Sequence, residues 1–516
     1  MPVLADLDYA IVALYLLVVV VLCVRVTRRS PDLDELFLAG RSLGPAVIGL
    51  SLFASNISST TLIGLPGAAW EHGISVANYE WMAALVLLFS AIFVAPLFIG
   101  QRLTTVPELL ERRFDTRLRN YLSGTSLFLS VVLDTAGSLY AGALVLMLFI
   151  PGLELVPTCA ALALFAGLYT TAGGLRAVAY TDVLQAVVLL VGSLVLSILV
   201  FAQFDFSWSQ VTARLEPDHL SLIRPLDDPA LPWLGTLIGL PILGFYYWTM
   251  NQYVAQRLLG ARSVEAAGRG ALLAAALKLL PLFLMVLPGA MAAALFSDLE
   301  RADTVFPRMI AEFAPPGLAG LMLAALLAAI MSSVDSTLNS ASTLLMVDFV
   351  QPRRPGLSPQ QLARWGRYST LILMCLAALW APAIDHFPGL FAYLQQAFAY
   401  VTPPLVAVFA LALCSRRIGS RAAWRGVLAG HLLSAALFGA AQLGWHQLHF
   451  SIVAGLLFAF SLLAILACQA LPGADQPSAA QLASTAQGQG ERLSKGVRIG
   501  ALLLTLATAA LVIAFW

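Results

Sequence analysis

Apolar residues in this chain come neither in strict alternation nor in a one-sided helical stripe. They come in runs of about 20, apolar on every face, and each run is closed by a knot of charged residues. A run of that length crosses a bilayer core as a helix. Read along the chain, the pattern predicts roughly fourteen spans, at about 8–28, 45–70, 77–100, 120–149, 154–172, 177–202, 232–256, 271–297, 316–347, 364–382, 389–414, 422–444, 451–470 and 497–515. No Lys or Arg precedes the first run (Tyr9 to Val24), no small-residue cleavage site follows it, and Arg25, Arg28 and Arg29 come directly after. It reads as a retained helix with its N-terminus outside, not as a cleaved leader.

Composition agrees with the pattern. Of 516 residues, 60% are hydrophobic and 11% charged, and the mean hydropathy is +0.86. A water-soluble domain cannot hide that much apolar surface. The expected fold class is an all-α membrane protein, one polytopic domain in contact with the lipid bilayer and without a soluble module. Charge sets its orientation. With the N-terminus outside, the outer loops hold Arg214, Arg224, Arg301 and Arg308, and Lys278 falls within a span. Every other one of the 29 cationic residues, Arg257 among them, falls on the cytoplasmic side. A miscounted span would invert that bias downstream, so the asymmetry implies an even number of spans and both termini outside. The inner loop 471–495 is rich in Ala, Gln and Ser and reads as a flexible tether to the last helix. Paired arginines in the inner loops fit a bacterial inner membrane.

The same accounting excludes several functions. A net charge of +1 offers no face to nucleic acid. The cysteines (Cys23, Cys159, Cys375, Cys414, Cys468) show neither metal nor disulfide spacing. There is no glycine-rich phosphate loop and no cluster with catalytic spacing, which argues against an ATP-driven pump or an enzyme. No organic cofactor is expected, and uphill work must draw on an ion gradient.

Charge in a bilayer core costs at least about 2.5–3.5 kcal/mol per group, so the polar atoms inside spans are informative. Glu80, Asp134, Asp182, Lys278 and Asp335 lie there, either paired as structural glue or lining a polar pathway. The second span is the most interrupted: Ser51-Leu-Phe-Ala-Ser-Asn-Ile-Ser-Ser-Thr-Thr-Leu-Ile-Gly64 runs into Leu65, Pro66 and Gly67. Such a stretch suits an unwound helix whose freed carbonyls bind a cation, or else a small-residue packing face. The seventh span repeats the feature with Gly239, Pro241 and Gly244, and two interrupted spans five helices apart are what an inverted repeat produces. In the ninth span, helical spacing puts Ala329, Ser332, Ser333 and Ser336 on one face, with Asp335 at its edge. Hydroxyls and carbonyls suit a hard cation such as sodium, although each Ser can also bond the carbonyl one turn back. Asp335 and Asp182 lie at similar depth, close enough along their spans for one cation to serve both.

These segments resemble the sodium/solute symporter family, and within it the sodium–glucose and sodium–myo-inositol cotransporter branch. The likeness runs from about Asp34 to Cys414. Its strings are Phe53-Ala-Ser-Asn-Ile-Ser58, Tyr79-Glu-Trp81, Gly173-Gly-Leu-Arg-Ala-Val178 with Tyr180-Thr-Asp-Val-Leu-Gln185, Tyr246-Tyr-Trp-Thr-Met-Asn-Gln-Tyr-Val-Ala-Gln-Arg257, Leu277-Lys-Leu-Leu-Pro281 with Val286-Leu-Pro-Gly289, and Ser332-Ser-Val-Asp-Ser-Thr-Leu-Asn-Ser340. The resemblance implies a LeuT-like core of two inverted five-helix repeats (about 45–202 and 232–414), with the helices at about 8–28, 422–444, 451–470 and 497–515 peripheral. It implies sodium-coupled import of a small polar solute, a monosaccharide or polyol, by alternating access. Carried over by position, the main sodium site falls on the carbonyls of Ala54, Ile57 and Ala329 and the hydroxyls of Ser332 and Ser333. Substrate binding falls on Asn56, Glu80, Tyr247, Trp248, Lys278 and Gln395, with Tyr247 closing the inner gate. A second sodium site, present in some members, falls on Asp182, Ser332, Asp335 and Ser336.

Three positions depart from the pattern. Thr61 stands where sugar transporters have His or Gln, so the ring substitution recognised differs there. Asp134 stands where relatives have Asn or Lys, and either adds an acceptor or pairs with Lys278. Asp335 stands where glucose-type members have a small or hydroxylated residue and inositol-type members have Asp. A carboxylate substrate would ask for a buried Arg, and none is expected in mid-span. The competing readings are proton coupling through Asp182, Asp335 or Asp134, a solute sensor, and a passive channel.

Overall fold

The computed structural model describes residues 4–26, 33–387, 390–479, 481–482 and 493–515. Arg28, Arg29 and Arg492 of the charge asymmetry, and much of the expected tether, lie outside them. Each of the fourteen apolar segments falls on helix. Among the described residues, nine helices are long and apolar enough to cross a membrane, and two bent pairs bring the number to eleven.

In chain order the helices are α1 (Asp6–Val26), the pair α2 (Pro45–Asn56) and α3 (Ser59–His72), α4 (Ile74–Gly100), α5 (Thr116–Phe149) and α6 (Leu155–Ala202). Next come α7 (Trp233–Phe245, continuing as a π-turn through Met250), α8 (Gln252–Leu259), α9 (Val264–Ala293), α10 (Leu318–Arg353) and α11 (Pro359–His386). The chain ends with α12 (Leu390–Val401), α13 (Pro403–Cys414), α14 (Ser420–Gln442), α15 (Phe450–Ala470) and α16 (Lys495–Ala514). The segments 154–172, 232–256 and 422–444 are helical but fall short of the length or hydropathy that marks the other spans.

Helix ends follow local chemistry. Asp115 caps α5 through the Leu118 amide (3.1 Å), Ser263 caps α9 through the Ala266 amide (3.1 Å), and Ser358 with Gln361 forms a capping box on α11. α6 carries two of the expected spans and turns at Gly174, whose φ of 62° and ψ of −178° only glycine adopts readily. A Cβ there would also sit 3.0 Å from the Leu36 carbonyl oxygen. Gly174→Ala is expected to cost about 1–3 kcal/mol of stability, read as a lower thermal midpoint of the purified protein; an unchanged midpoint would show that the turn is not strained.

The largest core cluster forms where α2–α3, α5, α6, α9, α10 and α11 meet. α10, the centre of that bundle, packs along α6 and is held at its N-terminal end by Asp8 of α1, whose Oδ1 accepts the amides of Gly317 (2.7 Å) and Gly320 (2.6 Å). At its C-terminal end Asp348 accepts from Arg119 (2.6 Å), Thr105 (2.8 Å) and Ser123 (2.5 Å). α1 and α16 lie at the periphery and turn large apolar side chains outward, Leu14, Leu17 and Val24 on one and Leu502, Leu503 and Ile513 on the other. That arrangement is stable only in lipid.

The glycines and prolines of the interrupted spans do a different job from the one expected. The break in the second span is at Ile57–Ser58, where α2 and α3 meet at 58°, while Gly64, Pro66 and Gly67 lie in regular helix. Gly67 permits close packing instead: a Cβ on it would stand 2.4 Å from the Ala302 carbonyl oxygen. In the seventh span, Gly239 and Pro241 are likewise helical, and the break falls at Asn251 (φ −65°, ψ 124°). Gly239 makes room for α15, since a Cβ there would lie 2.0 Å from the Ser451 carbonyl oxygen.

Candidate binding site between the broken helices

The site begins at the first break. In an unbroken helix the Ser58 amide would bond the Ala54 carbonyl, but it turns to Asn56 O (2.8 Å). The Thr61 amide likewise turns to Ser58 O (3.1 Å) instead of Ile57 O, and the Ser58 hydroxyl caps α3 at the same amide (3.3 Å). The Ala54 and Ile57 carbonyls are thereby released from the helical pattern. Both residues share one buried cluster with Ala329 of α10. The Ser333 hydroxyl bridges the two helices, 2.9 Å from Ala329 O and 3.5 Å from Ser55 O. The Ser55 carbonyl, which residue type alone does not single out, therefore stands beside the expected cation ligands. Ser332 turns away from them and donates to Asp182 Oδ1 at 2.6 Å.

Asp182, expected to lie beside Asp335, is met by a guanidinium. Arg257 is buried, not in a cytoplasmic loop, and its Nη2 lies 2.9 Å from Asp182 Oδ2. Its Nε donates to Ser51 Oγ (2.6 Å), its Nη2 to the hydroxyls of Ser55 and Ser336, and its Nη1 to the Tyr253 carbonyl. Ser51 in turn donates to Asp182 at 2.5 Å. The break at Asn251 makes this possible. The Asn251 side chain caps α8 at the Tyr253 amide (3.3 Å), and Gln252 pins the short helix to the loop after α4 by accepting the Val106 amide (2.9 Å) and donating to Thr104 O (3.1 Å). α8 then carries Arg257 inward. Asp335 points elsewhere, its Oδ1 2.5 Å from the Thr170 hydroxyl of α6.

Beside the first break is a cavity of about 120 Å³, room for roughly ten waters or one small solute. Asn56, Thr61, Glu80, Asp134, Tyr247, Trp248 and Gln395 all line it, from α2, α3, α4, α5, α7 and α12, with Ser333 at the edge. Thr61 Oγ1 donates to Asn56 O at 3.0 Å, closing the loop between α2 and α3. Tyr247 is bonded through its hydroxyl to Tyr253 and packs edge-on to Trp248 and Phe398, forming an aromatic floor. Asn56 Oδ1 and Asp134 Oδ2 are buried atoms without a hydrogen-bond partner among the described residues, while the two side chains face Tyr247 and Asn251 respectively.

Lys278 is absent from the cavity wall. It is fully buried one layer behind, its Nζ 2.5 Å from Glu80 Oε2 and 5.1 Å from the centre of the Trp248 ring. It pairs with Glu80, not with Asp134, which faces Asn251. Tyr79 lines both this cavity and a second one of about 220 Å³, beside Glu71, Arg301 and His449.

Long apolar helices, two of them broken around a polar cavity, define a multi-pass membrane transporter; among the described residues no group of three or more His, Cys, Asp or Glu is placed to hold a metal ion. Residues 36–430 match the model of the sodium:solute symporter family, and the chain belongs to that family. It is 35% identical over 464 residues to sodium/myo-inositol cotransporter 2 of Oryctolagus cuniculus, covering 83% of this chain and 69% of that protein. It is 33% identical over 470 residues to sodium/glucose cotransporter 1 of Ovis aries, covering 83% and 70%. The fold is similar to that of a Na+-coupled sialic acid symporter in a substrate-bound outward-open state, with a TM-score of 0.81, 23% identity, and 92% and 99% of the two chains covered. The protein is a sodium-coupled transporter and not an enzyme.

Proposed function

We propose that this transporter imports a monosaccharide or polyol with sodium, by alternating access. The cavity wall carries this reading: Asn56 Oδ1 and Asp134 Oδ2 are buried acceptors awaiting donors, and a polyhydroxylated ring brings donors. Unmet polar groups of this kind discriminate strongly against solutes that lack a hydroxyl. Glu80 and Gln395 add further polar contacts, Thr61 sets the recognised substitution pattern, and Tyr247 and Trp248 offer faces to a ring. Relatives named for myo-inositol and glucose transport support this solute class.

Sodium binds at the carbonyls of Ala54, Ile57 and Ala329 and the hydroxyls of Ser332 and Ser333, tying the broken α2–α3 pair to α10. That bridge favours the outward-open form with its solute site assembled, and Ser332 must rotate off Asp182 to complete it. Each sodium moving down about 100 mV adds roughly 2.3 kcal/mol of electrical drive, enough for about a fifty-fold solute gradient. We read the chain as fourteen spans with both termini outside a bacterial inner membrane. Two inverted repeats, about 45–202 and 232–414, would each begin with a broken helix, at Ile57–Ser58 and Asn251.

The test is uptake of labelled glucose, galactose and myo-inositol into proteoliposomes under a sodium gradient, a proton gradient, or neither. Accumulation of one of them only with sodium is expected. Uptake driven by acid alone, or downhill flux indifferent to both ions, would overturn the coupling. Ser333→Ala should raise the half-saturating sodium about tenfold, the effect of losing roughly 1.4 kcal/mol, with folding intact because Ser333 bonds mainly within its own helix. Wild-type sodium dependence in that variant would remove Ser333 from the site.

A further inference from the structure

From Phe349 to Ile384 the sequence carries Arg353, Arg354, Arg364 and Arg367 and not one acidic residue. This stretch covers the C-terminal end of α10, the turn at Pro355 and Gly356, and most of α11. All these arginines are exposed, and among the described residues none has a carboxylate within ion-pair distance. Asp348, just before the stretch, is buried and already accepts from Arg119 at 2.6 Å. An excess of arginine at the end of a span is ordinary topology charge and needs no partner. Here, however, the arginines frame a groove.

The groove has a volume of about 360 Å³ and is lined by Leu345, Phe349 and Val350 of α10, Trp365 of α11, and Arg353 and Arg354. Apart from the two arginines its wall is apolar. Arg353 closes α10 by donating from Nη1 to the Phe349 carbonyl (2.8 Å), and its guanidinium carbon lies 5.4 Å from the centre of the Phe349 ring. That of Arg354 stands 5.1 Å from the centre of the Trp365 ring. A guanidinium resting on an aromatic ring is held in place while its N–H edges stay free for an oxyanion. An exposed apolar stripe continues from the groove along α11: Trp365, Tyr368, Ile372, Leu376 and Leu379 recur at helical spacing on one face. The opposite face, with Leu362, Ser369, Leu373 and Ala377, is buried.

We propose that this groove and stripe bind an anionic phospholipid, with its phosphate at Arg353 and Arg354 and its acyl chains along Trp365, Tyr368 and Ile372. Arg364, one residue before Trp365, adds to the positive field. Charge complementarity selects this occupant. A zwitterionic lipid would bring a cation into a cluster of arginines with no acid to receive it. A second copy of the chain, paired about a two-fold axis, would set the same arginines against themselves. The aromatic rings fit the depth, since Trp and Tyr favour the headgroup boundary and Trp365 and Tyr368 begin the stripe beside the arginines. On the orientation proposed above this is the cytoplasmic leaflet, whose anionic lipids attract basic segments. The site lies about 30 Å along α10 from Ser333, so testing it requires neither sodium nor solute.

The measurement is quenching of Trp365 fluorescence in the full-length protein, reconstituted in phosphatidylcholine vesicles that contain either brominated phosphatidylglycerol or brominated phosphatidylcholine. The difference between wild type and Trp365→Phe isolates this ring from the other tryptophans. Brominated phosphatidylglycerol is expected to quench it at about thirtyfold lower mole fraction than brominated phosphatidylcholine, an advantage cut about fivefold in Arg354→Gln and abolished when Arg353→Gln is added. Equal quenching by the two lipids, or an advantage that survives in the double variant, would overturn the site. So would a Trp365 that neither lipid quenches, which is the outcome if a second copy of the chain covers this face. Both arginines are exposed, so the variants should keep the wild-type thermal midpoint. If the double variant does not fold, Arg354→Gln decides, and an undiminished advantage in it overturns the site.

Discussion

Arg257→Met is expected to destabilise the protein by about 3–5 kcal/mol and to abolish uptake. The guanidinium is the only cation at the Asp182 carboxylate among the described residues, at 2.9 Å, and both groups are almost wholly shielded from solvent. Removing it leaves a buried charge whose remaining partners are the hydroxyls of Ser51, Ser55 and Ser332. Those hydroxyls lose their arrangement too, since Arg257 also orients Ser51, Ser55 and Ser336. Because Ser332 is a proposed sodium ligand and Ser55 stands beside the others, transport should fail even in the fraction that folds. Asp182→Asn in the same chain removes the stranded charge, so the double variant should recover most of the stability but not transport. Arg257→Lys should fall between, because an ammonium cannot reach Ser51 and Asp182 as a planar fork does. Thermal midpoints of wild type, Arg257→Met, Asp182→Asn and the double variant give the cycle directly. If the double variant is no more stable than Arg257→Met alone, the pair is not what holds this region together.

The sequence reveals the frame of this molecule better than its wiring. Runs of apolar residues mark the long helices, because a span must satisfy its backbone internally and be apolar outside, and both demands are local. The hydroxyl-rich stretches of the second and ninth spans were legible for the same reason: polar atoms in a bilayer core are costly enough to be informative. Arg257 was not legible. It follows the apolar run of the seventh span, where charge bias alone assigns it to a cytoplasmic loop. The local signal was Asn251-Gln252, an amide pair inside that span, with Asn251 a favourable N-cap six residues before the arginine.

Gly239 and Gly67 illustrate a second limit. Glycine in a span marks either an unwound turn or a close crossing, and only the neighbours decide; here Ser451 and Ala302 fill the space a Cβ would need. Partner choice was equally out of reach. Glu80, Asp134 and Lys278 are far apart in sequence, and only the packing of α4 against α9 shows which carboxylate Lys278 serves.

That pairing sets the other large expectation. Lys278→Met should raise the solute concentration for half-maximal uptake by at least about thirtyfold, corresponding to roughly 2 kcal/mol, the lower end of the cost of truncating one member of a buried, hydrogen-bonded charge pair. Lys278 does not reach the cavity, so it acts as a positioning residue: its ammonium, 2.5 Å from Glu80 Oε2, holds that carboxylate aimed into the cavity. Without it Glu80 would lose the partner that fixes its carboxylate beside Trp248 and Tyr247, and its swing away would leave a gap in the wall. Glu80→Gln should weaken solute binding to a similar degree but leave Lys278 unpaired, so it should also lower the thermal midpoint. The double variant Glu80→Gln with Lys278→Met should regain stability without regaining affinity, which distinguishes a binding role for the pair from a purely structural one. Sodium activation at the Ser333 site should change little in all three, since that site is built from α2 and α10. If Lys278→Met binds solute as tightly as wild type, Glu80 needs no support from behind and the cavity recognises its solute chiefly through Asn56, Asp134 and Gln395.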